Sequence, residues 1–172
     1  SDLLGRVALQ EKELIHLIRC GALDGLGESR AALLAAADAV RRVGVQQIAF
    51  GFMAAAPPPE SAAQRLAWEQ HILGMPVSIH PVAIAPYPNA ATPLAQLEQA
   101  PGRPVYVAGV RLPGWTGGKG FFLDDGADFV IAVPPKGVAN PPVWQPLIAH
   151  GRWRRDEWGG GWLEIERLEI GD

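Results

Sequence analysis

Apolar positions recur at helical spacing through the first hundred residues and then give way to short alternating or continuous runs. From Glu11 to Arg19, Leu14, Leu17 and Ile18 form one apolar stripe, which predicts a helix stopped by Gly21. Asp24-Gly25-Leu26-Gly27 is turn chemistry. A second helix is expected from Ser29 to Arg42, with Leu33, Leu34, Ala37 and Val40 on one face and Arg41 and Arg42 favourably placed against the helix dipole. A third is predicted from Ser61 to Leu73: Ser61 and Gln64 have capping-box spacing, and Gly74 stands where a C-terminal cap belongs. Pro76, Pro81, Pro86 and Pro88 forbid long regular structure, and Thr92-Pro93 opens a short helix reaching Glu98.

Beyond Pro101-Gly102-Arg103-Pro104 the pattern predicts strands at Val105–Leu112, Phe121–Leu123, Phe129–Val133, Pro146–Arg155 and Trp162–Ile170. Gly117-Gly118, Asp124-Asp125-Gly126 and Gly159-Gly160-Gly161 supply the turns. Five short strands in about 70 residues suit a small barrel, and an OB-fold is the most economical. The expected class is therefore α+β. A helical region with a hairpin between helices spans residues 1–56, a helical, Pro-rich connector spans 57–100, and a C-terminal five-stranded OB-fold β-barrel spans 101–172.

Composition narrows the classes. The 172 residues are 48% hydrophobic and 19% charged, with a net charge of -3, which argues against disorder. Cys20 is the single cysteine, so neither a disulfide framework nor a Cys-rich zinc site can form. No run of about 18 apolar residues marks a membrane span, and no charged-then-apolar leader opens the chain, so a cytoplasmic protein is expected. The acidic balance, 15 Lys+Arg against 18 Asp+Glu, is unlike that of a strong, isolated DNA binder.

Three strings carry a family resemblance. Leu17–Leu34 (LIRCGALDGLGESRAALL) resembles the helix-hairpin-helix segment of the bacterial DNA polymerase III alpha subunit family. Trp68–Pro81 (WEQHILGMPVSIHP) is similar to the segment that follows there, and Val105–Val110 (VYVAGV) to the first OB strand. The order and spacing match as well. The resemblance implies a non-catalytic C-terminal region of a family-C polymerase: the hairpin contacts duplex DNA, and the OB-fold contacts single-stranded template. The catalytic carboxylates of the family have no counterpart here. The sequence ends with the last OB strand, which resembles the error-prone branch more than the replicative one.

The candidate residues follow from this reading. A hairpin binds DNA by presenting backbone N–H groups and a helix N-terminus to a phosphate, which nominates Gly25, Leu26 and Gly27 with Arg30 beside them. A plain turn between packed helices is the alternative. Gln46, Ile48 and Phe50 fit the Gln-led pentapeptide with which the family binds the sliding clamp. Ala49 replaces the usual large apolar residue, at a cost of about 1.5–3 kcal/mol of burial, so clamp binding is expected to be weak or absent, and the alternative is a strand or loop that packs Ile48 and Phe50 in the core. For a single-strand groove, Tyr106, Trp115, Phe121 and Trp153 can stack bases, and Arg111, Lys119, Arg152 and Arg154 can meet phosphates. Strand alternation places Arg152 and Arg154 on the face opposite Trp153 and Arg155.

Asp124, Asp125 and Asp128 read as a turn rather than a metal cluster, and His80 as a residue that orders the loop at Pro81. No cofactor, metal or catalytic residue is expected. The expected partners are single-stranded and primer-template DNA, the sliding clamp, and other polymerase or mutasome subunits. A second reading is an OB-fold protein-interaction module with little DNA affinity, which the acidic balance favours. A nucleotidyltransferase accessory domain would need a Lys-centred nucleophile, and no such motif is present.

Overall fold

The chain divides between Ile79 and His80 into two units. The computed structural model describes residues 6–43, 57–86 and 90–171. Among these, no helix is long and apolar enough to cross a membrane. The clamp-motif residues Gln46, Ile48 and Phe50 lie outside the described residues.

The first unit contains helices α1 (Glu11–Arg19), α2 (Arg30–Val43) and α3 (Ala62–Leu73), with a 3-10 turn at Asp24–Leu26 between α1 and α2. The α3 caps follow the sequence. The Ser61 hydroxyl accepts from the Gln64 N–H, the Gln64 side chain accepts from the Ser61 N–H, and Gly74 ends the helix at φ 74°. The interior of this unit is organised by charge. Arg30, 2% exposed, donates from Nε and Nη2 to Asp24 and from Nη1 to the Arg19 carbonyl and to Glu69. Glu69 is fully buried. Its carboxylate also accepts from the Ser78 hydroxyl at 2.6 Å and from the N–H groups of Val77 and Ser78. The pair ties α1, the 3-10 turn, α2, α3 and the segment after α3 into one network. A buried ion pair with its remaining lone pairs satisfied holds such a network together, while losing one partner strands a charge.

The second unit is a closed barrel of five strands: β1 (Pro104–Arg111), β2 (Phe121–Asp124), β3 (Phe129–Val133), β4 (Pro146–Arg155) and β5 (Gly161–Ile170). The order around the barrel is β1-β2-β3-β5-β4, antiparallel except for β3 against β5. That arrangement is the OB-fold. The interior is apolar: Val105, Val107, Phe121, Leu123, Ala132, Leu147, Ala149, Trp153, Leu163 and Ile165 point inward. Leu94 and Leu97, on a 3-10 helix over Leu94–Gln99, join the same core. Residues 80–100 thus group with the barrel, and residues 57–79 with the helices of the first unit.

Closure depends on two backbone approaches. A Cβ on Gly151 would lie 2.1 Å from the Glu164 carbonyl oxygen, beside the bulge where β4 shifts register between His150 and Gly151. A Cβ on Gly120 would lie 2.1 Å from the Ala132 carbonyl oxygen, where the β1-β2 connection enters β2. The turn after β2 is carboxylate-built: Asp124 accepts from the Gly126 N–H, and Asp125 accepts from the N–H groups of Ala127, Asp128 and Leu94. The His80 ring accepts from the Val82 N–H and meets Asp124 at 3.3 Å, so it orders the loop as the sequence suggested. Among the described residues no group of His, Cys, Asp and Glu is arranged to hold a metal ion.

Two predictions follow from these contacts. Burial raises the Glu69 pKa, but the Ser78 hydroxyl, the two N–H groups and Arg30 outweigh it and hold the carboxyl at about 2, against 4.5 for an ordinary glutamate. Its depressed pKa contributes on the order of 3 kcal/mol, complete above the ordinary glutamate range and lost as pH falls through about 2. Amide protection at Val77 and Ser78 should therefore collapse between those limits, and Glu69→Gln should be less protected at neutral pH and flat over the same range. Gly151→Ala should lower barrel stability by about 1–3 kcal/mol or more, read as a fall in the denaturant midpoint.

Candidate nucleic-acid interface

Strand alternation sorts β2 and β3 into an inner and an outer set. Phe121, Leu123 and Ala132 point into the core, which leaves Phe122, Phe129, Ile131 and Val133 on the outside. Register aligns them. Phe122 is paired with Ile131, and Ile131 with Trp162 of β5, so an apolar row crosses three strands. Phe122 and Phe129 meet edge to face, centroids 6.0 Å apart. An outward row of this kind on a barrel is a candidate binding surface.

Two loops flank the row. The β1-β2 connection carries Trp115, 84% exposed, and the exposed Lys119; the β4-β5 turn carries Trp158, 87% exposed. Neither loop is left to chance. Asp156 Oδ1 accepts from the N–H groups of Trp158 and Gly160 at 2.9 and 2.8 Å, forming a local Asx turn that presents the indole. Thr116 Oγ1 donates to the Gly120 carbonyl at 2.8 Å and pins the other loop. Between them lies a cavity of about 840 Å³ bordered by Lys119, Ile131, Val133, Trp158 and Trp162. Aromatic faces with a cation beside them are what base stacking and phosphate contact require. The strand 2–3 face with these two loops is also where OB-folds carry oligonucleotides and oligosaccharides.

The residues nominated from the sequence distribute unevenly over this geometry. Lys119 stands at the cavity, and Trp115 and Arg111 line its extension. Phe121 and Trp153 are core side chains, 1% and 5% exposed, so neither can stack a base. Trp153 is seated against Gly161, where a Cβ would come within 2.3 Å of the ring. Tyr106 is half-buried on the outside of β1, edge-on to His150 at 4.9 Å. Arg152 and Arg154 lie outside β4, Arg154 paired in register with Trp162 at the end of the row, and each is spoken for: Arg152 by Glu166 and the Gly102 carbonyl, Arg154 by Glu164.

The hairpin candidates of the first unit change meaning as well. Arg30 is the buried hub described above and offers nothing to a phosphate. The α2 N-terminus is already occupied: the Ala31 N–H donates to the Glu60 carboxylate at 3.0 Å, and the Ala32 N–H to the Ser29 hydroxyl. A carboxylate from this chain thus sits where a DNA phosphate would. Gly25, Leu26 and Gly27 form a 3-10 turn whose Leu26 and Gly27 N–H groups bond to Leu23 and Asp24 carbonyls.

Phe122, Phe129, Ile131, Trp158 and Trp162 were missed. The signal for the strand residues was a β3 apolar on both faces, Phe-Val-Ile-Ala-Val, where a solvated outer face would alternate. For Trp158 it was a large aromatic in an Asp-Glu-Trp-Gly-Gly turn, with nothing nearby to bury against.

No family model matches the sequence, and no curated protein sequence matches it. Among solved structures, asparaginyl-tRNA synthetase from Pyrococcus horikoshii complexed with asparaginyl-adenylate aligns at 24% identity and a TM-score of 0.40, over 48% of this chain and 22% of that one. The chain thus spans less than a quarter of the synthetase's length. The hypothetical protein ygiW from E. coli aligns at 11% identity, TM-score 0.40, over 48% of this chain and 91% of that one. OBody AM1L10 bound to hen egg-white lysozyme aligns at 16% identity, TM-score 0.40, over 51% and 97%. Likenesses at this level carry no functional argument, and the strand order itself establishes the OB architecture.

If Asp156 builds the β4-β5 turn, Asp156→Ala should raise hydrogen exchange at the Trp158 and Gly160 amides, a loss of about 1–3 kcal/mol in local stability. Exchange at the β1 and β4 amides of the core should stay as it was.

Proposed function

We propose that this chain is a non-catalytic binding module for single-stranded nucleic acid, and that it positions DNA for a larger enzyme of the family-C polymerase type. One observation carries the first part: the outward apolar row Phe122–Ile131–Trp162, flanked by exposed Trp115 and Trp158 with Lys119 at the edge. Each element answers a need of a single strand, a π-face for bases or a cation for phosphate. The second part rests on the resemblance of three ordered sequence strings, the first of them in the first unit and the second reaching from it to Pro81. On this reading the partners are single-stranded and primer-template DNA with other polymerase subunits, in the bacterial cytoplasm. DNA contact falls to the barrel groove, because the hairpin's helix N-terminus and Arg30 are already engaged within the chain.

A second reading, a protein-interaction module in a replication or translesion complex, is favoured by the net charge of -3 and by the acids Glu98 and Asp128 at one end of the groove. Salt separates the two. Phosphate contacts make affinity fall with ionic strength, whereas binding of an apolar peptide barely responds.

Trp115→Ala and Trp158→Ala should each weaken binding of a short oligothymidylate by about 1–3 kcal/mol, measured by fluorescence anisotropy at low salt. Arg152→Gln and Arg154→Gln should leave that affinity within about twofold, since both cations are already paired with carboxylates of β5. The reverse pattern would move the interface to β4, and no binding by the unsubstituted chain would favour the protein-interaction reading.

A further inference from the structure

The groove across the barrel is electrically graded. Its central cavity shares Thr116, Lys119 and Val133 with a smaller one of about 350 Å³ against the β1-β2 loop. It shares Ile131 and Gly161 with one of about 530 Å³ beside the 3-10 helix. The first end is lined by Arg111 and Lys119 and by no carboxylate. The far end is lined by Glu98 and Asp128, with the Arg155 guanidinium donating to the Glu98 carbonyl beside it at 2.8 Å. In between, Lys119 faces Asp156 and Glu157. A strand interior running the full length would carry phosphates away from two cations and toward two acids.

Arg111 is placed to hold an anion. It ends β1, where its carbonyl accepts from the Trp144 N–H at 2.9 Å. Trp144 adopts φ 64°, a conformation that costs a non-glycine residue about 1–2 kcal/mol, so the surrounding fold enforces this contact. The Arg111 guanidinium donates from Nη1 to the Pro141 carbonyl at 2.8 Å, and its buried Nε has no partner. Unlike Arg30, Arg152, Arg154 and Arg167, it has no carboxylate partner among the described residues. A held, half-buried guanidinium that no carboxylate neutralises suits a phosphate, whose oxygens match its fork. A terminal phosphate monoester carries about −1.5 to −2 at neutral pH, close to the two cations here, whereas an internal phosphodiester carries a single charge.

We propose that Arg111 and Lys119 bind the terminal phosphate of a nucleic-acid strand, with the first one or two bases stacked on Trp115 and Trp158, so that the groove reads a strand end rather than a strand interior. This rests on the single-strand reading above and specifies its ligand. The footprint is short, and the acidic end of the groove sets its limit.

The test is tryptophan-fluorescence titration of the whole chain with dithymidylates carrying a terminal phosphate at one end, at the other, or at neither, beside a longer unphosphorylated oligothymidylate. One phosphorylated form should bind at least about tenfold tighter than the unphosphorylated one, with a log-log salt slope between about −0.7 and −1.4. Arg111→Gln should abolish that preference and keep the residual affinity. Lys119→Gln, at an exposed position, should reduce the preference even if the Arg111 variant folds poorly. Equal binding of all the dithymidylates, or affinity that climbs with length at a slope near −3, would overturn the strand-end proposal and leave the single-strand reading standing. No binding by any oligonucleotide would overturn both.

Discussion

Barrel closure at glycine is the constraint on which the site depends. Gly151 lets β4 slip register against β5 at the His150–Gly151 bulge, and Gly120 lets the β1-β2 connection lie on the Ala132 carbonyl. With β1 then paired to both β2 and β4, the β1-β2 and β4-β5 connections flank one groove. The two indoles on those connections are almost wholly exposed. Trp115 and Trp158 are held in water by backbone geometry and by Asp156, an expense of apolar surface that a merely structural loop would avoid.

Charge does different work in the two units. In the first, Arg30 and Glu69 are buried together and organise the helices, so the cation that stands beside the glycine turn in sequence is structural. On the barrel, Arg152 and Arg154 are matched by Glu166 and Glu164 across β4 and β5, and Arg167 by Glu169 within β5. Pairing of this kind leaves a chain of net charge -3 with little free positive potential, and Arg111 and Lys119 are two of the remaining cations that line one cavity together. An acidic composition and an anion-binding groove are thus compatible, because the sum over the chain says nothing of where its unpaired cations stand.

Much of the architecture was legible from local rules. The Ser61–Gln64 box, the Gly74 cap, the Asp124-Asp125-Gly126 turn and all five strands were readable because each is decided within a few residues. Alternation also separated Trp153 from its flanking arginines, but it could not say which side was the core until Leu163 was known to pair with Trp153 inside the barrel. The Phe121-Phe122 pair posed the same problem, and Asp124, two residues after Phe122, was the clue to the outer face. What stayed hidden depends on long-range partners. Glu60 reaches the Ala31 N–H from 29 positions away, and no spacing rule connects Arg30 with Glu69. Those partners turned an apparent phosphate cradle into an internally satisfied helix start.

The central claim is that the groove between Trp115 and Trp158 is where this chain meets its ligand. The six tryptophans offer a direct reading of it through their indole N–H resonances. On titration with a short oligothymidylate, the signals of Trp115, Trp158 and Trp162 should move together, while those of the buried Trp153 and of Trp68 in the first unit stay in place. Movement of the Arg152 and Arg154 side-chain resonances with the indoles of Trp115 and Trp158 unchanged would contradict the account.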